Sequence, residues 1–183
     1  MQPTPRVVEA RMQPTARVIE AGDVAIDAGQ PLPCQRFTEP RCEPEIAFLL
    51  RTGLAGEYVT AAQVLAATAV VCPALDLLDS REPAGAGFAL GGQVTNPAGV
   101  DLRLIGMTLE RNGELIATAA GAAIGHPAAA VAWLARRRAA RGRGLAAGQV
   151  VLSGGLTGPV PVAPGDVIVA TFDRLGTIEL ACR

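Results

Sequence analysis

Glu43 and Glu45 stand two residues apart at the head of an apolar run, Ile46-Ala47-Phe48-Leu49-Leu50. Side chains at i and i+2 leave the same face of a strand, so the two carboxylates point into one small volume. Like charges that close repel unless a cation or a shared proton lies between them. A second apolar run, Pro73 to Ser80, carries two further acids, Asp76 and Asp79, where a buried strand ordinarily has none. Three oxygen donors from two strands suit a hard divalent ion such as Mg²⁺ or Mn²⁺, which takes carboxylate oxygens and keeps positions open for water or substrate. An isolated Glu-x-Glu more often ends a strand in solvent. The unbroken apolar stretch after Glu45 argues instead for a strand covered on both faces.

Other residues with chemical potential read more plainly. Ser153-Gly154-Gly155-Leu156-Thr157 follows a strand and offers backbone N–H groups and two hydroxyls to an anion, though a simple turn explains it equally well. No Gly-Lys-Ser/Thr follows, so it is not a phosphate loop of the Walker kind. His126 precedes Pro127, which favours helix capping over general-base work. Arg136, Arg137, Arg138, Arg141 and Arg143 fall in and just after the last turns of that helix, where cations complement the dipole. They lack the interleaved aromatics of a nucleic-acid surface. Cys34, Cys42, Cys72 and Cys182 show neither a Cys-x-x-Cys pair nor a zinc-like spacing, and read as free thiols.

The elements that must position these residues fit one domain of 183 residues. Half the residues are hydrophobic but only 3% aromatic, so the core is built from Ala, Val, Leu and Ile in short elements punctuated by 21 Gly and 14 Pro. That favours a sheet-rich α+β fold with two helices. A net charge of −1 supplies no field toward nucleic acid or a membrane surface. No apolar run reaches membrane-spanning length and no secretory signal opens the chain, which reads as cytoplasmic. Residues 1–16 hold most of a tandem duplication, Met1-Gln-Pro-Thr-Pro-Arg-Val-Val-Glu-Ala10 and Met12-Gln-Pro-Thr-Ala-Arg-Val-Ile-Glu-Ala21, and read as a loose extension ahead of a single domain from 17 to 183.

Along that domain, Val18-Ile19, Gly22-Asp23 and Val24 to Ile26 form a hairpin signal. Thr60 caps a helix from Ala61 to about Val71. The Pro73 strand follows, then a loop from Glu82 to Gly87 and a strand from Phe88 to Val94. Asn112-Gly113 joins strands within 101–110 and 114–124. A helix runs from Pro127 to about Arg141, with Gly142 and Gly144 as its stop. Strands at 149–152, 167–172 and 177–181 complete the chain.

The ordered blocks Arg36-Phe37-Thr-Glu-Pro-Arg-Cys-Glu43-Pro-Glu45-Ile-Ala-Phe48, Pro73-Ala-Leu-Asp-Leu-Leu-Asp-Ser-Arg81, Met107-Thr-Leu-Glu-Arg-Asn-Gly113, Gly125-His-Pro127, Val151-Leu-Ser-Gly154 and Pro164-Gly-Asp166 resemble the fumarylacetoacetate hydrolase superfamily. More narrowly they resemble its 2-keto-4-pentenoate hydratase and 2-oxo-3-hexenedioate decarboxylase branch. The resemblance covers Arg17 to the C-terminus and implies a β-rich mixed roll or sandwich of the superfamily's C-terminal-domain type. It implies Mg²⁺ or Mn²⁺ held by Glu43, Glu45 and Asp76, the last a methylene shorter than the family's usual glutamate. Asp79 is the fallback ligand, a hydrogen-bond acceptor behind the ligands, or a catalytic acid. Arg81, Ser153, Gly154 and Thr157 match the positions near the substrate's acid group.

The implied substrate is a small 2-keto or 2-hydroxy dienoic acid of aromatic meta-cleavage, to be hydrated, or, in the alternative, decarboxylated. A homo-oligomer, or association with a related decarboxylase or hydratase, is implied on the same ground. Two departures stand against a full carry-over. Family members have an N-terminal lid region with a catalytic lysine, whereas the duplicated segment stands there and all 16 basic residues are arginine. Glu82 to Gly87 is also a short bypass of a longer family segment. A catalytically impaired partner subunit is therefore the reading of another class.

Overall fold

The computed structural model describes residues 15–27, 29–80 and 82–183, with side chains left undescribed at 82–85. The strands are β1 (Arg17–Val18), β2 (Val24–Ile26), β3 (Arg41–Leu50), β4 (Thr68–Asp79), β5 (Glu82–Leu90), β6 (Gly106–Arg111), β7 (Glu114–Ala120), β8 (Val150–Leu152), β9 (Val160–Pro161), β10 (Val167–Phe172) and β11 (Gly176–Ala181). The helices are α1 (Ala61–Ala67) and α2 (Pro127–Ala139). The α+β, β-rich expectation with two helices holds. Among the described residues no helix is long and apolar enough to cross a membrane.

The larger sheet runs β1-β8-β3-β4-β5-β2, with β9 beside β3, and the smaller runs β11-β10-β6-β7. Alternation gives β3 two different faces. Ile46, Phe48 and Leu50 enter the main core with Val71, Leu75, Leu77 and Val151. β10 and β11 lie against β4. Glu43, Glu45 and Ala47 take the other face, where Ala47, Cys72, Ala74 and Leu152 form a smaller apolar floor, with Ile19, Phe88, Leu90 and Val150 packed on it. Leu49, also on this face, is 37% exposed, so the expected two-sided cover of the strand fails at its end.

The Val18 to Ile26 hairpin is not there. The turn exists, with Asp23 N–H donating to Glu20 O at 3.0 Å, but its strands part. β1 pairs antiparallel with β8, and β2 pairs parallel with β5, at opposite ends of one sheet. Each short strand buries its apolar side chain better there than against the other. In a flat sheet β1 would lie roughly 14 Å from β4, three strand spacings away. Arg17 of β1 nevertheless hydrogen-bonds Asp76 of β4, so the sheet curls toward the face that carries the acids.

Three other expectations are corrected. Helix α1, capped by a Thr60 and Gln63 capping box, stops at Ala67. The β-branched Thr68, Val70 and Val71 favour the extended chain, and Thr68 Oγ1 donates back to Val64 O at 2.7 Å as the backbone leaves the helix. Glu82 to Gly87 is not a loop but most of β5, paired with β4 in a tight hairpin that sets Asp79 opposite Glu82. The strand within 101–110 begins only at Gly106, because the Asp101 side chain caps a single 3₁₀ turn at Leu102–Leu104. As expected, Asn112 and Gly113 turn at φ 56° and 79°, and His126 caps α2 by accepting the Ala128 N–H at Nδ1 (3.0 Å). The duplicated segment lies outside the described residues up to position 14. Ala16 is buried.

Phe48 is fully buried on the core face of β3, two residues from Ile46. Phe48→Ala is expected to cost about 3–5 kcal/mol of stability through the cavity it leaves, measured by chemical denaturation.

Candidate functional site

The β3–β4 register builds the site. Glu43 lies opposite Asp76, Glu45 opposite Ala74 and Ala47 opposite Cys72, so all three acids leave the same face, at one end of the small apolar floor. On the other side of β3, Ala47 lies opposite Leu152 of β8, and Leu152 opposite Arg17 of β1. Arg17 therefore shares the face of the acids. Of the residues expected to hold an ion, Glu43, Glu45 and Asp76 are brought together.

Their surroundings hold little water. Glu45 is 1% exposed and Asp76 3%, and a carboxylate that deep stays charged only with partners. Glu45 Oε2 accepts the Gly154 N–H at 2.6 Å. Asp76 is held by Arg17, whose Nη2 lies 2.7 Å from Oδ1 and whose Nε lies 3.1 Å from each carboxylate oxygen. The same guanidinium reaches Asp23 through Nη1 at 2.6 Å and the Gly87 carbonyl through Nη2 at 3.0 Å.

Burial, then the neighbouring Asp76 charge, pushes Glu43 up to about 7. The same two causes, in the same order, hold Glu45 well above the usual carboxylate range against the pull of the Gly154 N–H. Asp76 is also raised, since burial outweighs its bonds to Arg17. Burial alone would lower Arg17, but Asp76 and Asp23 more than offset it and leave the guanidinium above its ordinary value. The face thus holds three carboxylates against one cation.

Two glycines make room for this packing. A Cβ on Gly155 would stand 2.6 Å from Glu43 Oε2, and one on Gly154, at φ 98°, would stand 2.8 Å from Thr15 Oγ1. The loop after β8 therefore approaches the acids with its backbone.

The remaining expected residues separate from the cluster. Asp79 accepts the Thr38 N–H at 3.0 and 3.1 Å and the Glu39 N–H at 3.3 Å, bracing the turn before β3. The buried Ser153 hydroxyl accepts the Ile46 N–H at 3.2 Å and donates to Gly154 O at 3.3 Å, so it staples β8 to β3. Thr157 donates to Gly158 O at 3.2 Å. Arg81 lies outside the described residues. Arg17, Asp23, Gly87 and Gly155 were not foreseen. Charge balance was the one signal available, since three acids gathered on one strand face call for a cation and the chain has only arginine to supply it.

The donor set is that of a hard divalent ion: carboxylate oxygens only, with negative charge in excess. Among the described residues no three side chains stand ready around one point. Asp76 has both oxygens on Arg17 and must be released before it can join Glu43 and Glu45. The residues fit such an ion with that one adjustment.

Residues 5–182 match the model of the family described as fumarylacetoacetate (FAA) hydrolase C-terminal. The chain is 38% identical over 159 residues to a 4-oxalocrotonate decarboxylase of Pseudomonas sp. strain CF600, covering 79% of this chain and 60% of that one. It is 37% identical over 172 residues to a 2-keto-4-pentenoate hydratase of Paraburkholderia xenovorans strain LB400, covering 86% and 64%. The structure of the 4-oxalocrotonate decarboxylase of Pseudomonas putida G7, complexed with magnesium and adipate, superposes with a TM-score of 0.83 at 33% identity, over 87% of this chain and 66% of that one. The chain thus spans about 60–66% of the length of these relatives. A family model over nearly the whole chain and relatives of this identity lead to one conclusion: the chain belongs to the fumarylacetoacetate (FAA) hydrolase C-terminal family, in the branch of the 2-keto-4-pentenoate hydratases and 4-oxalocrotonate decarboxylases.

Proposed function

We propose that this chain is a divalent-metal-dependent hydratase of small 2-hydroxy-2,4-dienoates, the enol forms of 2-keto-4-pentenoate and its kin, with Mg²⁺ or Mn²⁺ held by Glu43, Glu45 and Asp76. The observation that carries the reading is the convergence of three carboxylates on one sheet face, two of them buried and Glu43 half-buried, beside an apolar floor. When bound, the ion supplies Lewis-acid stabilisation of the charge that develops on the substrate's 2-oxygen as the dienol becomes a ketone.

The chain's own residues do the rest. The apolar floor of Ala47, Cys72, Ala74 and Leu152, with Phe88 packed on it, is assigned to the hydrocarbon part of the substrate. Ser153 fixes the loop whose Gly154 N–H orients Glu45. Thr157, at the loop's partly exposed rim, is assigned to the substrate's carboxylate, together with Arg81 just after β4. Asp79 is assigned a positioning role through the turn at Thr38 and Glu39. A homo-oligomer, or association with a related hydratase or decarboxylase, belongs to the same proposal.

A second reading, 4-oxalocrotonate decarboxylation, is favoured by one observation: decarboxylases match the chain as closely as hydratases do, at 38% and 37% identity. Loss of the ultraviolet chromophore of 2-hydroxypenta-2,4-dienoate, followed with Mn²⁺ or Mg²⁺ against chelator and with product identification, separates the two. Metal-dependent formation of 4-hydroxy-2-oxopentanoate is the expected outcome. Release of carbon dioxide from 2-oxo-3-hexenedioate alone assigns the decarboxylase, and inertness of the folded, ion-loaded chain on both substrates assigns the partner-subunit role.

Glu45→Gln is expected to lower the ion-dependent rate by at least about 10³-fold with the fold intact by circular dichroism, since it removes a buried anionic ligand. The pH dependence of stability follows from Glu43, whose ordinary value is 4.5 and whose value in the folded, ion-free chain is about 7. Between these values the folded state binds more protons than the unfolded state, so this group's contribution to stability falls as pH rises from 4.5 to 7. Chelator-treated protein is therefore expected to lose about 5 °C of Tm between pH 5 and pH 8 relative to Glu43→Gln, after discounting for the partial exposure of Glu43.

A further inference from the structure

We propose that Arg17 is a built-in competitor for the ion: the guanidinium and a divalent cation hold Asp76 in turn, and Asp23 with the Gly87 carbonyl is where the guanidinium rests while the ion has Asp76. This rests on the metal reading above.

Three observations carry it. First, Asp76 Oδ1 accepts both Arg17 Nη2 at 2.7 Å and Arg17 Nε at 3.1 Å, while Oδ2 accepts Nε at 3.1 Å. Arg17 thus takes three of the roughly four lone-pair positions an ion could use on this carboxylate. Second, Arg17 bonds neither Glu43 nor Glu45 in any described contact, so it blocks one ligand and leaves two waiting. A permanently charged guanidinium bonded to one of the three acids opposes a second cation on the same carboxylate.

Third, release of Asp76 does not strand the guanidinium. Its five N–H groups are all engaged: Nε and one Nη2 proton on Asp76, the other Nη2 proton on Gly87 O at 3.0 Å, and the two Nη1 protons on Asp23 at 2.6 Å and Val18 O at 3.5 Å. Breaking the Asp76 contacts leaves a full carboxylate, Asp23 just before β2, and two carbonyls, Gly87 on β5 and Val18 on β1, in place. The arginine side chain is 13% exposed and Asp23 12%, so this resting pair keeps most of its shielding from water. A guanidinium whose only function was to orient Asp76 would not need a second carboxylate at its far end.

The two accounts differ in sign. A competitor weakens ion binding, so removing it tightens the site. A brace strengthens ion binding, so removing it loosens the site. The test is a Mn²⁺ titration of the full chain, with free Mn²⁺ read from its electron paramagnetic resonance signal and the fold checked by circular dichroism. It compares the wild type with Arg17→Gln, Asp23→Asn and the double variant, and uses Glu45→Gln as the control that loses the site.

Arg17→Gln is expected to bind Mn²⁺ at least tenfold more tightly than the wild type. Asp23→Asn, which removes the resting place, is expected to bind at least threefold more weakly. The double variant is expected to follow Arg17→Gln, because without the guanidinium there is nothing to rest. Unchanged or weaker binding by Arg17→Gln, with the wild type binding normally, overturns the competitor role and leaves the metal reading standing. Absence of Mn²⁺ binding in every form overturns both. If Arg17→Gln does not fold, Arg17→Met, which keeps the apolar stem, takes its place under the same criteria.

Discussion

The gathering of three carboxylates on one face of a sheet, two of them buried, is the constraint on which this structure depends. Water would solvate Glu45 and Asp76 for nothing; the fold withholds it and must supply other partners. Those partners come from far along the chain. A backbone N–H arrives from the loop after β8, and a guanidinium arrives from β1. Satisfying the acids therefore ties three regions of sequence, around positions 17, 43–76 and 154, into one body.

The same constraint accounts for the curl of the larger sheet. β1 and β2 are near neighbours in sequence and opposite ends of a six-strand path. What holds the two ends near each other is Arg17, anchored on β1 and bonded to Asp76 on β4, to Gly87 on β5 and to Asp23 just before β2. A sheet that stayed flat would leave Asp76 without its cation. Curvature, charge pairing and the enclosure of the apolar floor are one arrangement described three ways.

Much of this was legible in the residues themselves. The Glu-x-Glu strand, the acid opposite it, the Asn-Gly turn, the Thr60 cap and the His126 cap each follow from local rules, because period, turn conformation and cap geometry are set by a few adjacent residues. What was not legible was nonlocal. A hairpin signal at Gly22-Asp23 gives a turn but cannot say that its strands find better partners elsewhere. Pro83 and the glycines that follow it read as loop, yet β4 offers an open edge that draws them into a strand. Nothing local marks Arg17, because its partners Asp76 and Gly87 lie 59 and 70 residues away. That the Ser153 hydroxyl and the Asp79 carboxylate also accept backbone N–H groups from distant segments was equally nonlocal.

The pairing of Glu43 with Asp76 has a bearing on how the chain finds its fold. Side chains alternate along β3, so a slip of one position would turn Glu43 and Glu45 toward the place of Ile46 and Phe48, among Val71, Leu75 and Leu77. The described neighbours on that side are apolar, and carboxylates forced among them would stay uncompensated. The acids thus penalise the misaligned strand pair far more than an all-apolar strand would. Chemistry placed for a ligand also serves, before any ligand arrives, as the chain's proofreading of its own register.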